Sequence, residues 1–127
     1  MIRIGVLSDT HITEVNREFR RIVETMFRDV DILIHAGDMT SVEVFDYLSE
    51  FNLKAVRGNM DDFKLKPLLP DKRVEEIEGV RIGIMHGRGG PEGIMDLVLD
   101  EFTGVDLIVF GHSHVPINGM KNGVRLF

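Results

Sequence analysis

Asp106-Leu107-Ile108-Val109-Phe110-Gly111-His112-Ser113-His114 sets an apolar run directly against a glycine and two histidines. The run Asp106–Phe110, short and rich in β-branched and aromatic residues, reads as a buried strand. Gly111–His114 then falls where that strand ends. The same arrangement recurs along the chain. Arg3–Leu7 runs into Ser8-Asp9-Thr10-His11, Asp31–Ala36 into Gly37-Asp38, Leu53–Arg57 into Gly58-Asn59, and Val80–Met85 into His86-Gly87. Strands that are apolar throughout, rather than alternating, suit a parallel sheet covered on both faces.

The segments between these strands carry helical spacing. Phe19, Ile22, Val23, Met26 and Phe27 form one stripe, with Asn16 or Thr13 as its cap. Ser41 caps a second helix through about residue 50, with Val44, Phe45 and Leu48 on one face. The N-terminal half is therefore β-α-β-α-β. Beyond Asp61 the pattern changes. Lys64–Asp71 holds two prolines and reads as a loop, and Glu78-Gly79 joins Arg73–Ile77 to Val80–Met85 as a hairpin. Pro91 starts a helix with Ile94, Leu97, Val98 and Phe102 inward. Lys121-Asn122-Gly123 joins Ile117–Met120 to Val124–Phe127 as a second hairpin. The second half is thus more antiparallel, which points to two sheets.

A length of 127 residues predicts one domain, residues 1–127, with a core of its own. The net charge of −6 argues against non-specific nucleic-acid binding. With no cysteine, a disulfide framework and a thiolate metal site are both excluded. The early apolar run Ile4–Leu7 is too short for a secretion signal or a membrane span, so the expected location is the cytoplasm and no membrane partner is expected.

In α/β folds ligands bind beyond the carboxyl ends of the strands. Asp9, His11, Asp38, Asn59, His86, His112 and His114 all sit there. Carboxylate, imidazole and amide oxygen suit borderline divalent ions such as Mn, Fe, Zn, Co or Ni. Seven such groups exceed the needs of one ion and suit two. Two ions about 3.5–4 Å apart clamp the attacking and leaving oxygens of a phosphoryl displacement and acidify a bound water. Asp38 is the candidate bridge, since a carboxylate has an oxygen for each ion.

These residues, in this order, resemble the calcineurin-like metallophosphoesterases, in particular the small bacterial and archaeal phosphodiesterases. The family pattern Asp-x-His, Gly-Asp, Gly-Asn, His, Gly-His-x-His is met by Asp9/His11, Gly37/Asp38, Gly58/Asn59, His86 and Gly111/His112/His114, and the resemblance spans Met1 to Phe127. It implies a four-layer α/β/β/α sandwich of two mixed sheets. It implies one ion on Asp9, His11, Asp38 and His114, and another on Asp38, Asn59, His86 and His112. The implied function is hydrolysis of a small phosphate ester, a phosphodiester first, by in-line attack of metal-activated hydroxide, with manganese the first choice of metal. Asp38, Asn59 and His11 would be catalytic, and Asn59 and Arg88 would contact substrate.

Two positions depart from the pattern. Many relatives have a histidine after the Gly-Asn, which serves the leaving group; here it is Met60, which has no proton to give. The expectation is weaker action on poor leaving groups, or an acid supplied by His11, Asp61 or water. Some relatives carry a second histidine where Arg88 stands, and an arginine there suits phosphate contact. Relatives of this size also continue past the point where Phe127 ends this chain. That leads us to expect missing C-terminal strands and an unpaired sheet edge, open to a homodimer or higher oligomer. His35, inside its strand, reads as a satisfied core group or as support for a metal-bound imidazole. Asp61 and Asp62 read as a solvated turn. The alternative function is a non-catalytic protein-interaction scaffold, as in a eukaryotic trafficking-coat subunit of this fold. A nuclease is disfavoured by the acidic charge.

Overall fold

In a computed structural model that describes residues 1–127, the buried runs of the first half form one sheet. Its strands β1 (Ile4–Leu7), β2 (Ile32–His35) and β3 (Leu53–Ala55) lie in that order, parallel throughout. The mixed pairing belongs to the second sheet. There β4 (Lys72–Ile77), β5 (Val80–Met85), β6 (Leu107–Val109), β7 (Gly119–Lys121) and β8 (Val124–Leu126) stand in the order β4-β5-β6-β8-β7. β5, β6 and β8 are parallel, and the two hairpins add antiparallel β4 and β7 at the edges. Both hairpin turns place their two central residues at positive φ: Glu78 at 49° with Gly79 at 81°, and Asn122 at 52° with Gly123 at 79°. That is the mirror-image turn that matches strand twist. The final strand is an inner one, flanked by β6 and β7, so the unpaired edge beside it is β7.

Three apolar clusters mark the three interfaces of a four-layer sandwich. α1 (Arg17–Met26) and α2 (Val42–Leu48) press Val23, Val44 and Leu48 onto Leu33 and Ala55. Ile32 and Ile34, on the other face of β2, meet Ile82, Ile84 and Val109 between the sheets. α3 (Ile94–Asp100) lays Ile94 and Val98 on Met85, Ile108 and Leu126. Each such Val, Ile or Leu contributes roughly 1.5–3 kcal/mol by leaving water. This sandwiching explains why β2 reads as continuously apolar: its two faces meet two different cores. No helix is long and apolar enough to cross a membrane.

Local signals fix the helix starts. Asn16 Oδ1 accepts the Phe19 N–H at 2.8 Å, and Ser41 Oγ accepts the Val44 N–H at 3.2 Å. Other boundaries differ from expectation. α3 begins at Ile94, since Pro91–Gly93 form a turn instead. On α1 and its C-cap only Phe19, Val23 and Phe27 pack inward, while Ile22 and Met26 stay exposed. Packing needs just the stripe at i, i+4 and i+8, and the two flanking apolar residues face water. The Lys64–Asp71 segment contains a single 3-10 turn, Lys66–Leu68, bracketed by buried Leu65 and Leu69. It is a loop that contributes to the first core cluster.

Candidate metal centre

All seven residues singled out at strand ends are brought to one edge of the sandwich. Their backbones are unusual: Asp9, His11, Asp38, His112 and His114 all have φ between 48° and 72°. That left-handed region is uncommon for residues with a Cβ, and its clustering at one locus marks a functional site. The two Asp-x-His and His-x-His segments share this geometry, positive φ at first and third residues and not at the middle one.

The side chains fall into two groups around Asp38. In the first, Asp9 Oδ1 lies 3.7 Å from His11 Nε2 and 3.3 Å from His114 Nε2. In the second, Asn59 Oδ1 lies 3.1 Å from His86 Nε2 and 3.2 Å from His112 Nδ1. Asp38 Oδ2 stands between them, 3.3 Å from His11 Nε2 and 3.1 Å from His86 Nε2. A single oxygen therefore faces both groups. The other, Oδ1, accepts the Met60 backbone N–H at 2.8 Å. The expectation that Asp38 offers one oxygen to each group thus gives way to one shared oxygen and one tethered oxygen. Asp9 also reaches the second group, with Oδ1 3.8 Å from His86 Nε2.

The donor set fits divalent cations. His86 Nδ1 lies 2.8 Å from the carbonyl of Ala36, which only an N–H at Nδ1 can satisfy. In the neutral ring Nε2 is then a lone pair, and it points at the oxygens of Asp38 and Asn59. Lone pairs converge on one another here, which is unfavourable without a cation among them. Spacings of 3.1–3.8 Å between donor atoms also match the edges of a coordination shell with bonds of roughly 2.0–2.2 Å.

Neighbouring groups hold these donors. Asp9 Oδ2 accepts the Ser8 hydroxyl at 2.8 Å and the His112 N–H at 3.1 Å, so β1 and β6 are clasped through the site itself. Asp61 departs from its reading as a solvated turn. It is buried, with Oδ1 accepting the Thr40 N–H at 2.8 Å and Oδ2 the Gly58 N–H at 2.7 Å. It thereby ties the turn carrying Asp38 to the turn carrying Asn59. Asp62 is the half-buried member of the pair, accepting the Lys64 N–H through Oδ1. The Asn59-Met60-Asp61 order after Gly58 is the sequence signal for Asp61, because Asp in such a turn accepts nearby backbone N–H groups.

His35 is fully buried and is no donor to either group. Its Nδ1 accepts the Gly37 N–H at 3.1 Å, leaving Nε2–H for Thr10 Oγ1 at 3.3 Å. Burial, outweighing attraction from Asp9, lowers its pKa from 6.5 to about 3. The unfolded chain takes up this proton near pH 6.5 and the folded chain does not. Stability therefore falls as pH drops from about 6.5 towards 3, by at most about 1.4 kcal/mol per pH unit from this group. His35→Gln can keep both hydrogen bonds without titrating. Its denaturant midpoint, measured beside the parent chain across that range, should fall less steeply with acid; parallel curves would contradict this role.

Two grooves flank the centre. One, of about 430 Å³, adjoins Asp9 and His114 and is walled by Val6, Phe110, Ile117 and Phe127. The other, of about 300 Å³, adjoins Asn59 and His86 and is polar. Arg88 lies on this second groove, with its guanidinium paired to Glu101 at 2.9 Å rather than turned to the donors. Lys72 pairs with the same carboxylate, and these two cations hold the Glu101 carboxyl below its usual range. Met60 is 58% exposed at the rim of the centre.

Comparison with known proteins gives a consistent set. The model of the calcineurin-like phosphoesterase superfamily domain matches residues 2–127. A protein of Methanocaldococcus jannaschii named a probable metallophosphoesterase is 38% identical over 119 residues, 89% of this chain. The chain spans 59% of that relative's length. A solution structure of a Thermotoga maritima protein is 31% identical, with a TM-score of 0.70 over 99% of this chain and 82% of its own. A structure described as a novel archaeal phosphodiesterase shares the fold at a TM-score of 0.73 and 24% identity, over 97% of this chain and 80% of its own.

Proposed function

The chain belongs to the calcineurin-like phosphoesterase superfamily, and we propose that it is a phosphodiesterase that works with two divalent metal ions, manganese first among them. The observation that carries this reading is Asp38 Oδ2, one oxygen within 3.3 Å of an imidazole nitrogen from each donor group. Asp9, His11, Asp38 and His114 would hold one ion, and Asp38, Asn59, His86 and His112 the other. Bound there, the ions supply Lewis acidity that acidifies water and polarises phosphoryl oxygens.

The chain's own groups do the rest. Met60 N–H and Ala36 C=O hold Asp38 and His86 in place, and that preorganisation keeps the donors aimed at the reacting phosphate. In the overall reaction a water oxygen bonds to phosphorus, the bond from phosphorus to one ester oxygen breaks, and the alcohol departs with a proton. Asp61 has both oxygens engaged by backbone N–H groups, and His11 Nε2 would be taken up in holding the first ion. Of the three acids considered, water remains, so good leaving groups are favoured. Met60→His should then raise the rate on an alkyl ester about tenfold, below the 10²–10⁴ of a fully positioned acid. Its rate on a nitrophenyl ester should stay level; equal gains on both esters would argue against a missing acid.

A diester has two organic arms, and the two grooves give each an outlet, one beside Asp9 and His114 and one beside Asn59 and His86. A monoester needs only one. Bis(4-nitrophenyl) phosphate and 4-nitrophenyl phosphate should therefore differ, the diester showing the higher kcat/KM with Mn, Ni, Co or Zn. Preference for the monoester would overturn the diester assignment. The scaffold alternative is separated by metal content, since it requires no stoichiometric pair of ions.

A further inference from the structure

The polar groove contains more positive charge than the surrounding chain predicts. Arg57, Lys66 and Arg88 line it together with Asn59 and His86, and Asp71 is its one carboxylate, in a chain whose net charge is −6. The three cations are placed by the same turns that place the metal donors. Arg57 precedes Asn59 by two residues, and Arg88 follows His86 by two. Lys66 opens the 3-10 turn that buried Leu65 and Leu69 anchor in the core, and its carbonyl accepts Arg57 Nη1 at 3.3 Å. None of the three is committed to a tight buried pair. Arg57 Nε is 3.9 Å from exposed Asp71, Arg88 meets Glu101 at the surface, and Lys66 makes no ion pair.

We propose that this groove holds a second phosphate of the substrate, so that the ester cleaved is an organic phosphodiester carrying a further phosphate on one arm. The inference rests on the phosphodiesterase reading and adds the substrate class to it. Two guanidinium forks and an ammonium suit the several oxygens of a phosphate better than one carboxylate. The groove opens directly on Asn59 and His86, so a phosphate there belongs to the same molecule as the one at the metal centre. A pocket with three cations against one carboxylate, on an otherwise acidic surface, also draws a dianion in preference to a neutral arm.

The test uses two esters with the same leaving group: thymidine 5′-(4-nitrophenyl phosphate) and its 3′-phosphorylated counterpart. With the manganese-loaded chain the 3′-phosphorylated ester should show about tenfold lower KM, the order expected of three exposed charge contacts acting together. Lys66→Gln should bring the two KM values closer, and raised salt should do the same. Calorimetry provides a readout apart from turnover: thymidine 3′,5′-bisphosphate should bind more tightly than thymidine 5′-monophosphate, and Lys66→Gln should shrink that difference. Equal KM values and equal affinities, with both esters hydrolysed, overturn the groove assignment alone. Hydrolysis of neither ester overturns the phosphodiesterase reading and the groove assignment with it.

Discussion

Asp38→Asn abolishes most hydrolysis, with a loss of roughly 10³-fold, while leaving the metal-free chain at least as stable as the parent. The two halves of this result come from different oxygens. Asn keeps an oxygen for the Met60 N–H, so the turn stays closed. What disappears is the charge at Oδ2, which faces His11 and His86 at 3.3 and 3.1 Å. That charge is the shared donor nearest to both groups, and losing it removes several kcal/mol of stabilisation from the charged transition state. The buried carboxylate carries an uncompensated charge when no cation is present, so its removal is no loss to the empty fold. Bis(4-nitrophenyl) phosphate turnover and a thermal melt with and without Mn read both halves. Full activity would remove Asp38 from the centre, and a melt lowered by several degrees without metal would make its role structural.

Gly58→Ala should be the most damaging single methyl in the chain. A Cβ on Gly58 lands within clashing distance of both Asp38 Oδ1 and the Asp38 backbone nitrogen. The side-chain oxygen is fixed by Met60 and the backbone atom cannot rotate away. The turns after β2 and β3 must separate, which breaks the Asp61 bond to Gly58 N–H at 2.7 Å as well. Overpacking plus a lost buried charge-assisted bond costs about 3 kcal/mol or more, a melting shift on the order of 10 °C. Activity should fall roughly 10²-fold in the molecules that remain folded, because misplacing the donors by about 1 Å is enough. Gly93→Ala is the control, since a Cβ there meets nothing within 4 Å. If the two variants melt alike, the close approach of these turns is not what holds the site.

The donor residues were legible because each is announced locally, by an apolar run, then a glycine or a short polar turn. A parallel sheet covered on both faces followed from β2 being apolar throughout, the four-layer arrangement from the family resemblance alone, and the hairpins from Glu78-Gly79 and Asn122-Gly123. What stayed hidden depends on partners far away in sequence. Asp61 looks like any turn aspartate until Thr40, 21 residues earlier, is seen to bond it. Met60 signals only a missing proton donor, yet its main chain fixes the oxygen on which both donor groups converge. The cationic groove was half visible in Arg88, while Arg57 and Lys66 join it only through the fold of the Lys64–Asp71 loop. Ile22 and Met26 misled because helical spacing identifies an apolar side of a helix and not how wide a stripe its neighbour covers.

The central claim is a pair of ions sharing Asp38, and the most direct measurement is a manganese titration followed by hydrolysis rate. Metal-free protein, held at a concentration far above the dissociation constants, is given Mn in steps with bis(4-nitrophenyl) phosphate present. The account predicts negligible turnover at the start and a rise that levels at two equivalents per chain. Levelling at one equivalent, or no turnover at any metal concentration, would contradict it.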